Sequence, residues 1–436
     1  MVDIFGKKRL LTIKGGGKKY TGYLLQGATK LALANAGYTE PIDDSLPMCF
    51  PSILGGYIYS SQAYRNISVF ILNGKLLACG QKTSGSTWEV VVLDDTRQWT
   101  QVTDIRNSNP DSDAGIYGGI GIADGKLYYF YVYGFNTLAL GNVRQCGSDI
   151  NWTHLSGMNG GYSDLESINS GFPFSTIGIQ AGKLYYIGAY YTPYQIDTKN
   201  DFVDICGIGQ FRADSSYNDD IYSYAIDSSG YVYYILCQIN STNLDSSTYS
   251  IGRASNTPVS PTKFQGRGFY YNTSTKNNQY YPVVFSTNPI VSGDANSIGC
   301  LTADTMQDTL VYFNSSALTG ECDYISSFIG YNHYTYALSK GQWYYITKAS
   351  NTTQPTATLL NLSPSPVKIV GGRNRYLYPL NTFIGTVYAY AIYSSGTLGY
   401  FSTNTAISTI SGISNCVDVI GQGSSDRYTA LALCES

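Results

Sequence analysis

The 436-residue chain is only 13% charged, with a net charge of −3, whereas ordinary soluble proteins are about 25% charged. Tyrosine fills 42 positions and glycine 46, so the surface must be built largely from Tyr, Gly, Ser, Thr and Asn. Such a chain offers no basic footprint for nucleic acid. It contains no run near the roughly 18 apolar residues that cross a bilayer, and its N-terminus, MVDIFGKKRLLTIKGGGKK, lacks a signal-peptide core.

The N-terminal segment departs from the rest in charge and pattern. Within the first thirty residues Lys7, Lys8, Arg9, Lys14, Lys18, Lys19 and Lys30 are opposed only by Asp3. Ile4, Phe5, Leu10, Leu11 and Ile13 are interleaved with them, which a purely solvating tail would not carry. Residues 1–45 are therefore expected to form a basic segment that either anchors the protein to a larger assembly or closes the fold. In the anchoring reading, Lys7, Lys8, Arg9, Lys14, Lys18 and Lys19 meet an acidic surface. Gly15-Gly16-Gly17-Lys18-Lys19 lacks the final Gly-Lys-Ser/Thr order of a phosphate loop and reads as a basic connector. Only Ala28 to Ala36 carries helical spacing.

From residue 46 onward the chain repeats. Asn73-Gly74, Asp124-Gly125, Ala181-Gly182, Ser229-Gly230, Lys340-Gly341 and Ser395-Gly396 each lie between β-branched or aromatic runs, the pattern of a tight turn between antiparallel strands. The runs that follow are alike: KLLACG, KLYYFYV, KLYYIGA, YVYYILC, QWYYITK and TLGYFST. The spacing gives a unit of about fifty residues. The first unit reads as four strands, Ile67 to Leu72, Lys75 to Gly80, Trp88 to Leu93 and Trp99 to Asp104. An irregular unit is expected around Thr309 to Phe313. Residues 46–436 are thus expected to form an all-β β-propeller of about seven four-stranded blades, with eight as the alternative count. The segment Tyr428 to Leu433 would be left unpaired, so it is expected to complete a blade supplied by the N-terminal part.

Two family resemblances follow from these repeats. GYNHYTYAL from Gly330, GRNRYLYPL from Gly372 and GSSDRYTAL from Gly423 resemble the regulator-of-chromosome-condensation propeller repeat. The Gly-Lys-Leu strands and the late Trp99 and Trp152 resemble kelch or sialidase-type blades. Both resemblances imply a propeller more than an activity.

The chemistry available is sparse. There are two histidines, His154 and His333, and nine cysteines without a C-x-x-C pair, so no metal, cofactor or catalytic residue is assigned. Ser148-Asp149-Ile150-Asn151-Trp152 resembles a defective sialidase Asp-box, which is a structural turn. The expected function is non-catalytic binding through an aromatic rim, with Tyr190, Tyr191, Tyr194, Tyr270 and Tyr271 as its candidates. A Tyr-rich, charge-poor, leaderless β-protein resembles bacteriophage tail and host-recognition proteins. That implies assembly in a host cytoplasm, a place in the virion, other tail proteins as partners and a host surface glycan or protein as ligand. A cellular kelch-like interaction scaffold is the alternative, and a glycoside hydrolase of sialidase type stands behind it.

Overall fold

Two residues with positive φ in succession make a type I′ turn, whose twist matches that of the strands it joins. Four of the expected turns take this form: Asn73-Gly74 at 52° and 74°, Asp124-Gly125 at 50° and 70°, Ala181-Gly182 at 47° and 77°, and Lys340-Gly341 at 49° and 73°. They join Tyr64–Leu72 to Lys75–Lys82, Ile116–Ala123 to Lys126–Tyr133, Thr176–Gln180 to Lys183–Ile187, and His333–Ser339 to Gln342–Lys348. The structure is a computed structural model that describes residues 17–51, 63–107, 115–147, 150–156, 176–188, 193–196, 199, 201–212, 218–240, 248–253, 264–272, 279–286, 298–304, 307–313, 324–325, 333–348, 356–372, 374–377 and 384–435. Among these the fold is all-β and includes several four-stranded antiparallel sheets. Ala28 to Ala36 is not a helix: Thr29–Ala32 is a strand, followed by a single 3-10 turn at Ala34–Ala36.

Four of the sheets share one device, at the start of the strands Trp99–Val102, Trp152–Leu155, Phe202–Arg212 and Cys416–Gly421. Trp99 pairs with Ala123 and Gln101 with Ile122; Trp152 pairs with Gln180 and His154 with Ile179; Phe202 pairs with Asp227 and Asp204 with Ile226; Cys416 pairs with Cys434 and Asp418 with Leu433. Thr100, Thr153, Val203 and Val417 are the extra residues of these β-bulges. The local pattern is a large or apolar residue, a bulge residue, a polar residue and a buried aliphatic one: Trp99-Thr100-Gln101-Val102, Trp152-Thr153-His154-Leu155, Phe202-Val203-Asp204-Ile205 and Cys416-Val417-Asp418-Val419. The first residue of each donates its backbone N–H to the turn glycine of an earlier hairpin, Trp99 to Gly74 O at 2.8 Å, Trp152 to Gly125 O at 3.0 Å, Phe202 to Gly182 O at 2.9 Å and Cys416 to Gly396 O at 2.8 Å.

This device corrects the expected grouping of the first unit. Tyr64–Leu72, Lys75–Lys82 and Trp88–Asp94 share a sheet, but Trp99–Val102 pairs with Ile116–Ala123 and opens the next one. The turn between them explains the switch. The Asp94 carboxylate accepts from Thr96 N, Thr96 Oγ1, Arg97 Nη1 and Trp99 Nε1, which fixes a reversal that carries the chain out of one sheet into its neighbour. The expected irregular unit falls in a larger sheet, where Phe202–Arg212 meets Gln279–Ser286 through the single pair Phe211 and Gln279 and eight strands become continuous.

Successive sheets pack through shared apolar clusters. Val69, Ile71 and Ala78 meet Trp99, Val102 and Phe130; Ile120 and Ile122 meet Trp152, Leu155 and Ile187; Ile177 and Ile179 meet Phe202, Ile205 and Ile235. Each fully buried side chain of this size contributes about 1.5 to 3 kcal/mol. The edge strands are also stitched to one another by their polar residues. Gln101 donates from Nε2 to Thr153 O at 3.0 Å and accepts at Oε1 from Leu155 N at 2.6 Å, and Lys368 Nζ lies 2.6 Å from Asp418 Oδ1.

The two distant parts of the chain meet in one sheet, ordered Thr29–Ala32, Lys19–Gln26, Ala430–Glu435 and Cys416–Gly421. Tyr20 faces Glu435, Gly22 faces Leu433 and Leu24 faces Leu431. The C-terminal strand therefore does pair with the N-terminal part, over Ala430–Glu435. Leu24, Leu431 and Leu433 on one face pack with Phe70, Leu72 and Leu77; Leu25, Ala430 and Ala432 on the other pack with Val370, Ile392 and Leu398. Within the N-terminal segment Lys19–Gln26 is thus a strand paired with Ala430–Glu435; residues 1–16 lie outside the described residues.

Candidate functional site

The outer edges of two neighbouring sheets present an aromatic pair. Tyr194 ends one sheet on the short strand Tyr194–Gln195, and Tyr249 lies on Thr248–Arg253 at the edge of the next. Their rings stack at 4.5 Å between centroids and 18° between planes, and Tyr186 sits behind Tyr249 at 6.2 Å. Tyr194 remains 54% exposed, while Tyr186 is buried. Beside them Tyr185 hydrogen-bonds Gln195 Oε1 at 3.4 Å and sets its ring edge-on to Trp152 at 5.2 Å. The arrangement comes from strand alternation: Tyr185 and Tyr186 point to opposite faces, so one braces Trp152 and the other backs the stack.

Of the residues expected to form the rim, Tyr194 is in this pair. Tyr190 and Tyr191 lie outside the described residues. Tyr270 and Tyr271 lie on Phe264–Asn272, facing Tyr281 and Tyr280 across the ladder in a different part of the eight-stranded sheet, and their side chains are outside the described set. The partner that sequence reasoning missed is Tyr249. Its signal is a tyrosine in the outer strand of the following unit.

Of the expected basic residues, Lys7, Lys8, Arg9 and Lys14 lie outside the described residues. Lys18 and Lys19 are tied within the closing sheet. Lys18 Nζ lies 3.5 Å from Glu435 Oε1, and Lys19 Nζ bonds Asp43 Oδ2. Lys19, together with the Ser45 hydroxyl and backbone N–H, holds the Asp43 carboxyl down to about 2.

A second polar centre is fully enclosed. Arg427, 1% exposed, donates from Nη2 to Asp104 Oδ2 at 2.8 Å and from Nη1 to Ile67 O at 3.1 Å. Asp104 Oδ1 accepts from Ile105 N at 3.0 Å. The guanidinium thereby joins the closing sheet, the Tyr64–Leu72 strand and the Trp99 sheet. With neither charge open to solvent, this centre acts as a clamp rather than a ligand site. Among the described residues no group of three or more His, Cys, Asp or Glu side chains gathers as a metal site would require.

No family model matches the chain, and no curated protein matches it in sequence. Several solved structures are similar in shape. The complex of the fission yeast SREBP-SCAP binding domains is 8% identical, covering 71% of this chain and 76% of that one at a TM-score of 0.42. The polysaccharide lyase Uly1 is 9% identical, covering 95% and 98% at a TM-score of 0.27. The bifunctional GH43-CE protein of Bacteroides eggerthii is 10% identical, covering 88% of this chain and 61% of that one at 0.24. The expectation that the chain is not an enzyme is corrected here, because two of these structures carry the names of carbohydrate-active enzymes. At such scores the likeness supports no particular reaction, and no family is assigned.

Proposed function

We propose that the chain is a β-propeller that recognises a saccharide at its outer aromatic edge. The observation that carries this reading is the Tyr194–Tyr249 stack: a ring 54% exposed yet held parallel to its neighbour at 4.5 Å. Such a ring has given up much of its side-chain freedom before a ligand arrives, so binding loses little further entropy. Its flat apolar face suits the C–H face of a pyranose, and Gln195 beside it supplies hydrogen-bonding groups for hydroxyls. The composition, poor in charge and rich in tyrosine, is that of adaptable recognition surfaces. We place the protein in a virion, with host-surface glycan as the ligand, other tail proteins as neighbours and the basic residues Lys7, Lys8, Arg9 and Lys14 as the anchor to them.

The test is retention on a glycan array, followed by affinity measurement on the retained glycans and an assay for released sugar. Tyr194→Ala should weaken binding about tenfold while circular dichroism stays unchanged. Undiminished affinity in a well-folded Tyr194→Ala protein overturns the site. Release of sugar from a bound glycan would make the same edge the substrate-holding part of an enzyme.

A further inference from the structure

We propose that Cys416 and Cys434 form a reversible disulfide that locks the closing sheet. The two residues are direct cross-strand partners, on Cys416–Gly421 and Ala430–Glu435. Backbone bonds define the type of pair: Glu435 N donates to Asn415 O at 3.0 Å, while Cys416 N turns away to Gly396 O at 2.8 Å. This is the non-hydrogen-bonded pairing, in which side chains come closest and Cα atoms lie about 4.5 Å apart, inside the range of roughly 4.4 to 6.8 Å that a disulfide spans. Both sulfurs are buried, and the Cys416 thiol donates to Asp418 O at 3.5 Å.

The sister sheets isolate the pair further. The corresponding partners there are Trp99 with Ala123, Trp152 with Gln180 and Phe202 with Asp227. Only in the closing sheet do both positions change to cysteine together. The other described free cysteines have no such partner opposite: Cys49 faces Ile71, Cys79 faces Ser68 and Val90, Cys237 faces Ile221 and Tyr249, and Cys146 lies just beyond its strand. Small apolar filling accounts for those four and does not account for a matched pair.

Cys434 is the attacking sulfur. The adjoining Cys416 thiol, with the charge of Lys30 nearby, holds its thiol below the ordinary range despite burial, and the closeness of Cys434 together with burial pushes Cys416 up. The Cys434 thiolate attacks one sulfur of a low-molecular-weight disulfide such as oxidised glutathione, releasing one thiolate and forming a mixed disulfide. Cys416 then loses its proton and attacks the Cys434 sulfur, releasing the second thiolate. Two protein thiols and one reagent disulfide become one protein disulfide and two reagent thiols; the protein loses two electrons and two protons, and the reagent gains them. Both sulfurs are buried, but the chain neighbours Asn415, Val417 and Glu435 are exposed, so a small opening at this edge admits the reagent. In a reducing cytoplasm the pair stays open, and in an oxidising medium it closes.

The experiment incubates the native full chain with oxidised glutathione, blocks remaining thiols by alkylation, and maps peptides by mass spectrometry without reduction. The expected result is a linked peptide containing Cys416 and Cys434, cleaved by reductant, and a thermal midpoint higher in the oxidised than in the reduced protein. Cys434→Ala should abolish both the link and the redox dependence of the midpoint, while Cys79→Ala keeps both. Should Cys434→Ala fail to fold, the wild-type map decides alone. A native protein that forms no such link, forms it only after denaturation, or stops at a glutathione adduct on Cys434 overturns the proposal.

Discussion

A single guanidinium joins three sheets, and its removal should be felt throughout. Arg427 and Asp104 have side chains only 1% and 4% exposed, so neither charge can fall back on water when its partner is lost. Arg427→Met removes the guanidinium that pairs with Asp104 Oδ2 and should cost about 3 to 5 kcal/mol in urea unfolding, whereas the double change with Asp104→Leu should recover most of that loss. Equal destabilisation in the single and double variants would assign the cost to shape instead. Neither partner stood out in the sequence. Arginine and aspartate 323 positions apart carry no local pattern that marks them as a buried pair.

At the scale of elements, hairpins and their turns were legible because positive φ is a local demand. Asn73, Asp124 and their glycines are residue types that meet it cheaply. Ala181 and Lys340 adopt the same left-handed backbone without that tolerance. Replacing Ala181 with Asn should therefore stabilise the protein by about 1 kcal/mol in chemical denaturation, and an unchanged or lower midpoint would argue against a type I′ turn there. The opposite holds at Asn73→Ala, where the turn also loses bonds to Asp43 N, Tyr38 Oη and Pro41 O. Strand pairing was less legible. The Trp99 strand follows Trp88–Asp94 closely in sequence but belongs with Ile116–Ala123, since its partner is chosen by a bulge and a non-local ladder. The four-residue bulge pattern became readable only once the edge strands were aligned by their partners, because Trp, Phe and Cys share its first position.

For the whole molecule, the sequence pointed to one closing sheet through a terminal strand with nothing beside it. In it Lys18 and Lys19 read as part of a basic anchor, with closing of the fold as the other role open to the segment. Lys19–Gln26 pairs along its length with Ala430–Glu435, and Leu24, Leu25, Leu431 and Leu433 are all buried at 1% or less. The aromatic edge was legible only as a preference for exposed tyrosines: Tyr194 was named, whereas Tyr249 needed the neighbouring sheet to bring it near. The closing sheet holds the remote parts of the chain together and carries the cysteine pair. Hydrogen exchange of the full-length native protein, read segment by segment, tests that claim most directly. Amides of Lys19–Gln26 should be protected as strongly as those of Ala430–Glu435 and should open with them as one cooperative unit. Exchange of Lys19–Gln26 at the rate of an unstructured peptide, with Ala430–Glu435 still protected, would contradict it.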